Sequence, residues 1–196
     1  MFGSLDSSFQ HAWQAEILTA RPLILPARQF VYPTQVEEVE RGALEVLVRP
    51  QAVETAPFLA TCALGFADPL ALTGLWACPD PRWMCAVAGG YAYLIDTVTP
   101  QQWEQLEYRP VTEIRALPQH GLLIFSGFHG LLSWGPAGRK WKTKRLSWDG
   151  IRITEIVGNR LTGFGWDLTS DQETEFEVDL MTGESRGGGY SPVTSG

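Results

Sequence analysis

The chain has 196 residues, of which 44% are hydrophobic and 19% charged, and its formal net charge is −7. That length suits one domain or two small ones with a substantial core, and 22 acidic against 15 basic residues oppose general polyanion binding. No apolar run reaches the length of a membrane-spanning helix, so a membrane protein of that kind is excluded.

Taken from the start, Met1–Gln10 shows no positive stretch followed by an apolar one, so no secretory signal is expected. The following "EILTARPLILPARQFVY" is β-rich and punctuated by Pro. Residues 1–33 are therefore expected to lend an outer, closing strand to the rest. From Thr34 onward a pattern recurs. "TQVEEVE" at Thr34, "TGLWACP" at Thr73, "TEIRALP" at Thr112 and "TEIVGNR" at Thr154 start 39, 39 and 42 residues apart. The first of these is the weakest copy.

Each later copy leads into a hairpin. "WMCAVA" and "YAYLID" are joined by Gly89-Gly90, a pair that takes the positive φ of a tight β-turn without strain. "LLIFS" and "LLSW" are joined through "GFHG", and "LTGFGWD" is joined through "LTSDQE" to "TEFEVDL". In the last of these Thr174, Phe176, Val178 and Leu180 face one way and Glu175, Glu177 and Asp179 the other. That alternation predicts a half-buried strand. A fourth, outer strand follows, led by Trp103 in "WEQLEYR" and by Trp141 in "WKTKRL".

The register extends to the turns. Asp96 and Trp103 are aligned with Trp134 and Trp141, 38 residues on, and "DTVTP" at Asp96 recurs as "DLMTG" at Asp179. Four short strands in about 40 residues is the size of a propeller blade. The "D-x-x-T-[PG]…W" turn resembles that of quinoprotein-like and kelch-like blades, and Gly89-Gly90 before "YAYLIDTVTPQQW" adds to the kelch-like character. The resemblance covers residues 34 to about 183 and implies a fold, not functional residues. Gly-Gly occurs in one unit only, and the fourth unit lacks the outer Trp. The expected architecture is all-β: a small β-propeller or propeller-like arc of about four four-stranded units. They occupy 34–72, 73–111, 112–153 and 154–186, within a single domain ending in a flexible tail, 187–196.

"RKWKTKR" (139–145) places five cations in seven positions. Read as an outer strand, it sets Lys140, Lys142 and Lys144 on one face, and Arg139, Trp141, Thr143 and Arg145 on the other. Lysines along an edge discourage edge-to-edge pairing. Trp141 is then expected to pack inward like Trp103, with the lysines meeting either Glu175, Glu177 and Asp179 or a partner. The remaining chain is too acidic for the wide basic footprint of a nucleic-acid binder.

Chemistry-bearing patterns are few. His11, His120 and His129 are the only histidines, and His120 and His129 flank one predicted strand. That puts them roughly 20 Å apart, too far to share a metal, at about 3.3 Å per residue. Cys62, Cys78 and Cys85 have no framework spacing, and Cys85 shares a strand face with Trp83 and Val87, as a small buried hydrophobe does. "DLTSDQETE" (167–175) is oxygen-rich but lacks the central Gly and final Glu of a calcium loop, so it reads as a hairpin tip. No nucleophile elbow, phosphate loop or zinc-protease motif occurs.

The resulting expectation is a cytoplasmic, non-catalytic binding protein that uses its strand-end loops to hold a macromolecular partner. The partner is expected to be protein, not nucleic acid or membrane, with Arg139, Lys140, Lys142, Lys144, Arg145 and His129 as candidate contacts. No catalytic residue, metal or cofactor is assigned, and a homodimer is one way to complete an open arc. The alternatives are an enzyme or small-ligand binder with its site at converging loops, and a small acidic immunity- or inhibitor-type protein. An enzyme of this fold would draw on polar loop residues such as Asp80, Arg82, His129 and Asp167.

Overall fold

A computed structural model describes residues 4–34, 42–66 and 71–190. The chain is all-β, with four sheets of four or five strands in a blade-like arrangement. After a two-residue strand β1 (Leu5–Asp6) come β2 (Trp13–Ile17) and β3 (Arg28–Tyr32). β4 (Ala43–Pro50) and β5 (Phe58–Ala63) pair antiparallel, and β2 and β3 add to their two outer edges, giving the first sheet the order β2-β4-β5-β3. The N-terminal segment thus supplies two edge strands to one sheet. Residues 35–41, which hold most of "TQVEEVE", lie outside the described residues.

The second sheet is β6 (Gly74–Ala77), β7 (Trp83–Ala88), β8 (Tyr91–Asp96) and β9 (Trp103–Gln105), with β1 parallel to β6 at its edge. The third runs β10 (Glu113–Leu117), β11 (Leu122–Ser126), β12 (Leu131–Gly135) and β13 (Gly138–Lys142). The fourth runs β14 (Ile151–Val157), β15 (Arg160–Asp167), β16 (Gln172–Asp179) and β17 (Ser185–Gly187). Its opening strand begins at Ile151, ahead of Thr154. The tight turn expected at Gly89-Gly90 forms, with φ of 57° and 79°.

Two apolar clusters order the sheets. One joins the inner side of the first sheet (Val46, Val48, Phe58, Cys62) to the second sheet and on to Leu123, Phe125, Leu132 and Trp134 of the third. The other joins the opposite side of the third sheet (Leu122, Ile124, Leu131, Trp141) to Ile153, Leu161, Phe176 and Val178 of the fourth. Neither cluster holds residues of both the first and the fourth sheet. The sheets therefore stack first, second, third, fourth. Strands of the inner two sheets are covered on both faces, so β7, β8, β11 and β12 are nearly continuous apolar runs. β4 and β15 alternate buried with half-buried residues, and β16 buried with exposed ones from Phe176 on, because their sheets end the stack.

Among the described residues no helix is long and apolar enough to cross a membrane. The three thiols are buried, and burial above all, with neighbouring charge-bearing groups, pushes each well above its ordinary pKa. Cys85 faces the third sheet with Trp83 and Val87, since Tyr93, opposite Ala86, reaches the other way to the Ala63 carbonyl.

Candidate functional site

The basic stretch folds differently from its sequence alternation. β13 ends at Lys142, and the β12–β13 ladder is shifted between Ser133 and Trp134: Trp134 lies opposite Arg139, whereas Ser133 lies opposite Trp141. One extra residue, Lys140, is bulged out, so Arg139 and Lys142 come to the same face. Both hold Glu107, Arg139 Nη1 at 3.1 Å and Lys142 Nζ at 3.0 Å, and Lys142 also lies 5.2 Å above the Tyr108 ring. The strict lysine face does not form.

Nor do the lysines meet the acidic residues of β16. Glu177 pairs with Arg160 and Glu173 with Arg152, on the side of the fourth sheet that faces away from the third. Asp179 Oδ1 accepts the N–H groups of Met181 and Thr182 at 2.8 and 2.9 Å. These bonds hold its carboxyl below the usual value. Lys144 instead borders a cleft with Gly183–Arg186. Among the described residues, Lys140, Lys144 and Arg186 have no ion-pair partner.

Trp141 packs inward, but in the direction opposite to Trp103. Trp103 lies against Tyr32 and Tyr93, toward the first sheet. Trp141 donates from Nε1 to the Leu180 carbonyl at 2.7 Å, toward the fourth. The reason is a slip of one residue. Tyr93 and Ile95 face the preceding sheet, and the residues that do so in the third are Leu132 and Trp134, an offset of 39. A 38-residue register therefore exchanges the faces. The Asp turns keep their parity: Asp96 Oδ1 accepts Val98 and Thr99 N–H groups just as Asp179 accepts its own two. Asp96 is buried, with Oδ2 at 3.4 Å from Arg82 Nη2.

The histidines stay apart. His11 Nδ1 donates to the Phe9 carbonyl, His120 Nε2 donates to the Gly158 carbonyl at 2.8 Å, and His129 Nδ1 accepts from Arg145 Nη2 at 3.3 Å. Among the described residues no group of three His, Cys, Asp or Glu is placed to hold a metal. Asp167 serves its hairpin tip, accepting from Thr169 N–H and the Ser170 hydroxyl, which lower its pKa. Arg145 lies 4.6 Å from the Trp148 ring and 4.7 Å from the Tyr190 ring, which touch each other at 4.9 Å, and it donates to the Ser147 and Trp148 carbonyls. Residues 187–190, read as the start of the tail, are thereby fixed to the fold, and Gly188 N–H also bonds the Glu175 carbonyl. Residues 191–196 lie outside the described residues.

Sequence reasoning missed a groove of about 280 Å³ beside His129. It is lined by Phe66, Leu72, Pro110, Val111 and Phe128, at the loop end shared by the second and third sheets. Phe66 and Phe128 are 45% and 42% exposed. Backbone bonds fix its walls: Phe66 N–H to Gly89, Gly90 N–H to Leu72 and Val111 N–H to Gly90. The available signal was a large aromatic inside a glycine-flanked turn, "GFHG", where polar residues are usual. A second cleft, of about 650 Å³, lies at the opposite end between the third and fourth sheets and includes Gln119, His120, Asn159 and Met181. No family model and no curated protein matches the chain.

Proposed function

We propose that the protein is a non-catalytic binding module, an open propeller-like arc of four blade-like units that holds an apolar segment of a protein partner. The observation that carries this reading is the groove between Phe66 and Phe128. Large half-exposed aromatics around a concave apolar floor have the composition of an interaction hot spot. His129 stands next to Phe128 and bonds Arg145, the cation nearest the groove in this turn. An apolar segment with an acidic flank is the complementary ligand. Arg139 and Lys142, held by Glu107, contribute less to such a contact.

The groove is tested with Phe128→Asp, at a half-exposed turn position that leaves the core intact. Wild-type protein is cross-linked in its own lysate, the bound protein identified, and its affinity measured with both forms. A loss of about thirtyfold or more is expected, since central hot-spot residues contribute about 2 kcal/mol or more. Unchanged affinity for Phe128→Asp rejects the groove as the contact. The second reading, a small-ligand or enzyme site, draws on the larger cleft at His120 and Asn159. A metabolite-pool binding screen in which His120→Ala alone abolishes binding would favour it.

A further inference from the structure

We propose that the free edge of β3 is a strand-addition site, which takes an uncharged, extended segment of a protein partner. β3 is the last strand of the first sheet and pairs on one side only, with β5, in parallel register from Arg28 opposite Phe58 to Tyr32 opposite Cys62. Among the described residues no backbone N–H or C=O along its other edge has a partner. Alternate groups of this five-residue strand are therefore left open. Such a row of donors and acceptors is matched as a whole only by another extended backbone.

Open edges invite unwanted pairing and are normally blunted, and this molecule blunts its others. β13 is bulged and carries Arg139, Lys140 and Lys142, and β14 is bulged between Ile153 and Glu155. β1, β9 and β17 are only two or three residues long. β2 carries the exposed Glu16–Arg49 pair, and β10 carries the Glu113–Arg115 pair. β3 has none of these devices. Its one charge, Arg28, turns back to the Ala56 carbonyl and the Phe30 and Phe58 rings, and neither Pro nor Gly interrupts "RQFVY".

A groove of about 310 Å³ runs beside that edge, with residues Gln29 to Tyr32 on one side and Pro100, Gln101 and Trp103 on the other. Its base is fixed: the Tyr32 hydroxyl donates to the Pro100 carbonyl at 2.8 Å, and the Tyr32 ring lies against Trp103. Among the described residues no charged side chain lines it. An added strand would turn alternate side chains into the groove and the others outward, level with Gln29 and Val31. The inward ones meet Phe30 and Trp103, so apolar residues fit there and charged ones would lose water without a partner. The β3 of a second copy is a poorer occupant. Its inward side chains, Phe30 and Tyr32, already pack against Phe58 and Trp103 of their own chain, so they cannot fill a neighbour's groove.

The test uses the whole chain and capped peptides Thr-X-Thr-X-Thr, with X as Val, Ile, Leu, Phe or Tyr. At least one peptide should bind, and should slow hydrogen exchange of the outward β3 amides about tenfold or more. N-methylating one of its two alternate rows of amides keeps the side chains, and should weaken binding about tenfold. Phe128→Asp should bind the peptide like wild type, which separates this edge from the groove at Phe66. Binding by none of the five peptides overturns the proposal, as does binding indifferent to N-methylation of either row. Protection at Phe66 and Phe128 in place of β3 overturns it too, and so does protection of the outward β3 amides in the free monomer. A dimer in sedimentation velocity whose association protects those amides would overturn it in favour of self-pairing.

Discussion

At one end of the stack the first sheet is covered by its own chain. The link from β2 to β3, residues 18–27, crosses its outer side, and β5 is buried along its whole length. At the other end the fourth sheet turns Arg152, Arg160, Glu173, Glu175 and Glu177 to water, and β16 alternates buried and exposed. Both sheets face the same problem, an outer side that no further sheet covers. One meets it with a covalent cover beside a single exposed Glu16–Arg49 pair, the other with charge alone. The difference teaches that burial in a sheet stack follows what crosses the outer side, not only a strand's place in the order.

The two ends are also fastened differently, and that contrast can be broken experimentally. The largest effect is expected at the last joint. Trp141→Ala removes a buried ring and its bond to the Leu180 carbonyl, at a cost of about 3–5 kcal/mol. Native-state hydrogen exchange should show β14–β17 losing protection while β2–β5 keep theirs. Equal loss in all four sheets would mean the fourth is not fastened separately.

Gly183→Ala strikes the same joint more gently. Gly183 has φ of 76°, and an added Cβ would come within 2.7 Å of the Trp141 ring. The strain and overlap should cost about 1–3 kcal/mol in urea unfolding; an unchanged midpoint would show that the ring can shift. At the first joint, Tyr32→Phe removes the bond to the Pro100 carbonyl while keeping the ring against Trp103. A loss of about 1 kcal/mol is expected, with the fourth sheet's exchange unaltered.

The smallest effect is acid sensitivity. Asp179 and Asp167 both belong to the fourth sheet, and backbone N–H bonds hold both carboxyls below their usual value. A depressed carboxylate stabilises the fold above its unfolded pKa of about 4, and that contribution is lost as pH falls through the folded value. Exchange in β15–β17 should therefore rise below about pH 4, and Asp179→Asn should flatten that rise. A first sheet that loosens before the fourth in acid would contradict the assignment.

Much of the fold was legible because strands announce themselves locally. Gly89-Gly90 fixed a hairpin by its positive φ, and the alternation of "TEFEVDL" marked a strand with one wet face. The Asp96 and Asp179 turns were legible too, because an Asp carboxylate bonds N–H groups only two and three residues away. The site was not. Alternation in "RKWKTKR" assumed an unbroken strand, and a bulge opposite Ser133 and Trp134 moved Arg139 to the side of Lys142. Nothing in that segment indicates that Glu107, in the preceding linker, would hold both. The groove at Phe66 and Phe128 joins loops more than 60 residues apart, which no local pattern encodes.

By itself, then, the sequence determined what short-range forces decide: strand propensity, turn chemistry and the count of sheets. Tertiary structure alone decided which way Trp103 and Trp141 face and which cations are left free. It also decided that the first sheet ends under the crossing 18–27 link and the fourth in open charge. The reason is that side-chain direction in a sheet has a period of two, so one bulge or one slipped residue reverses it. Only the packing of distant segments reveals which parity was chosen.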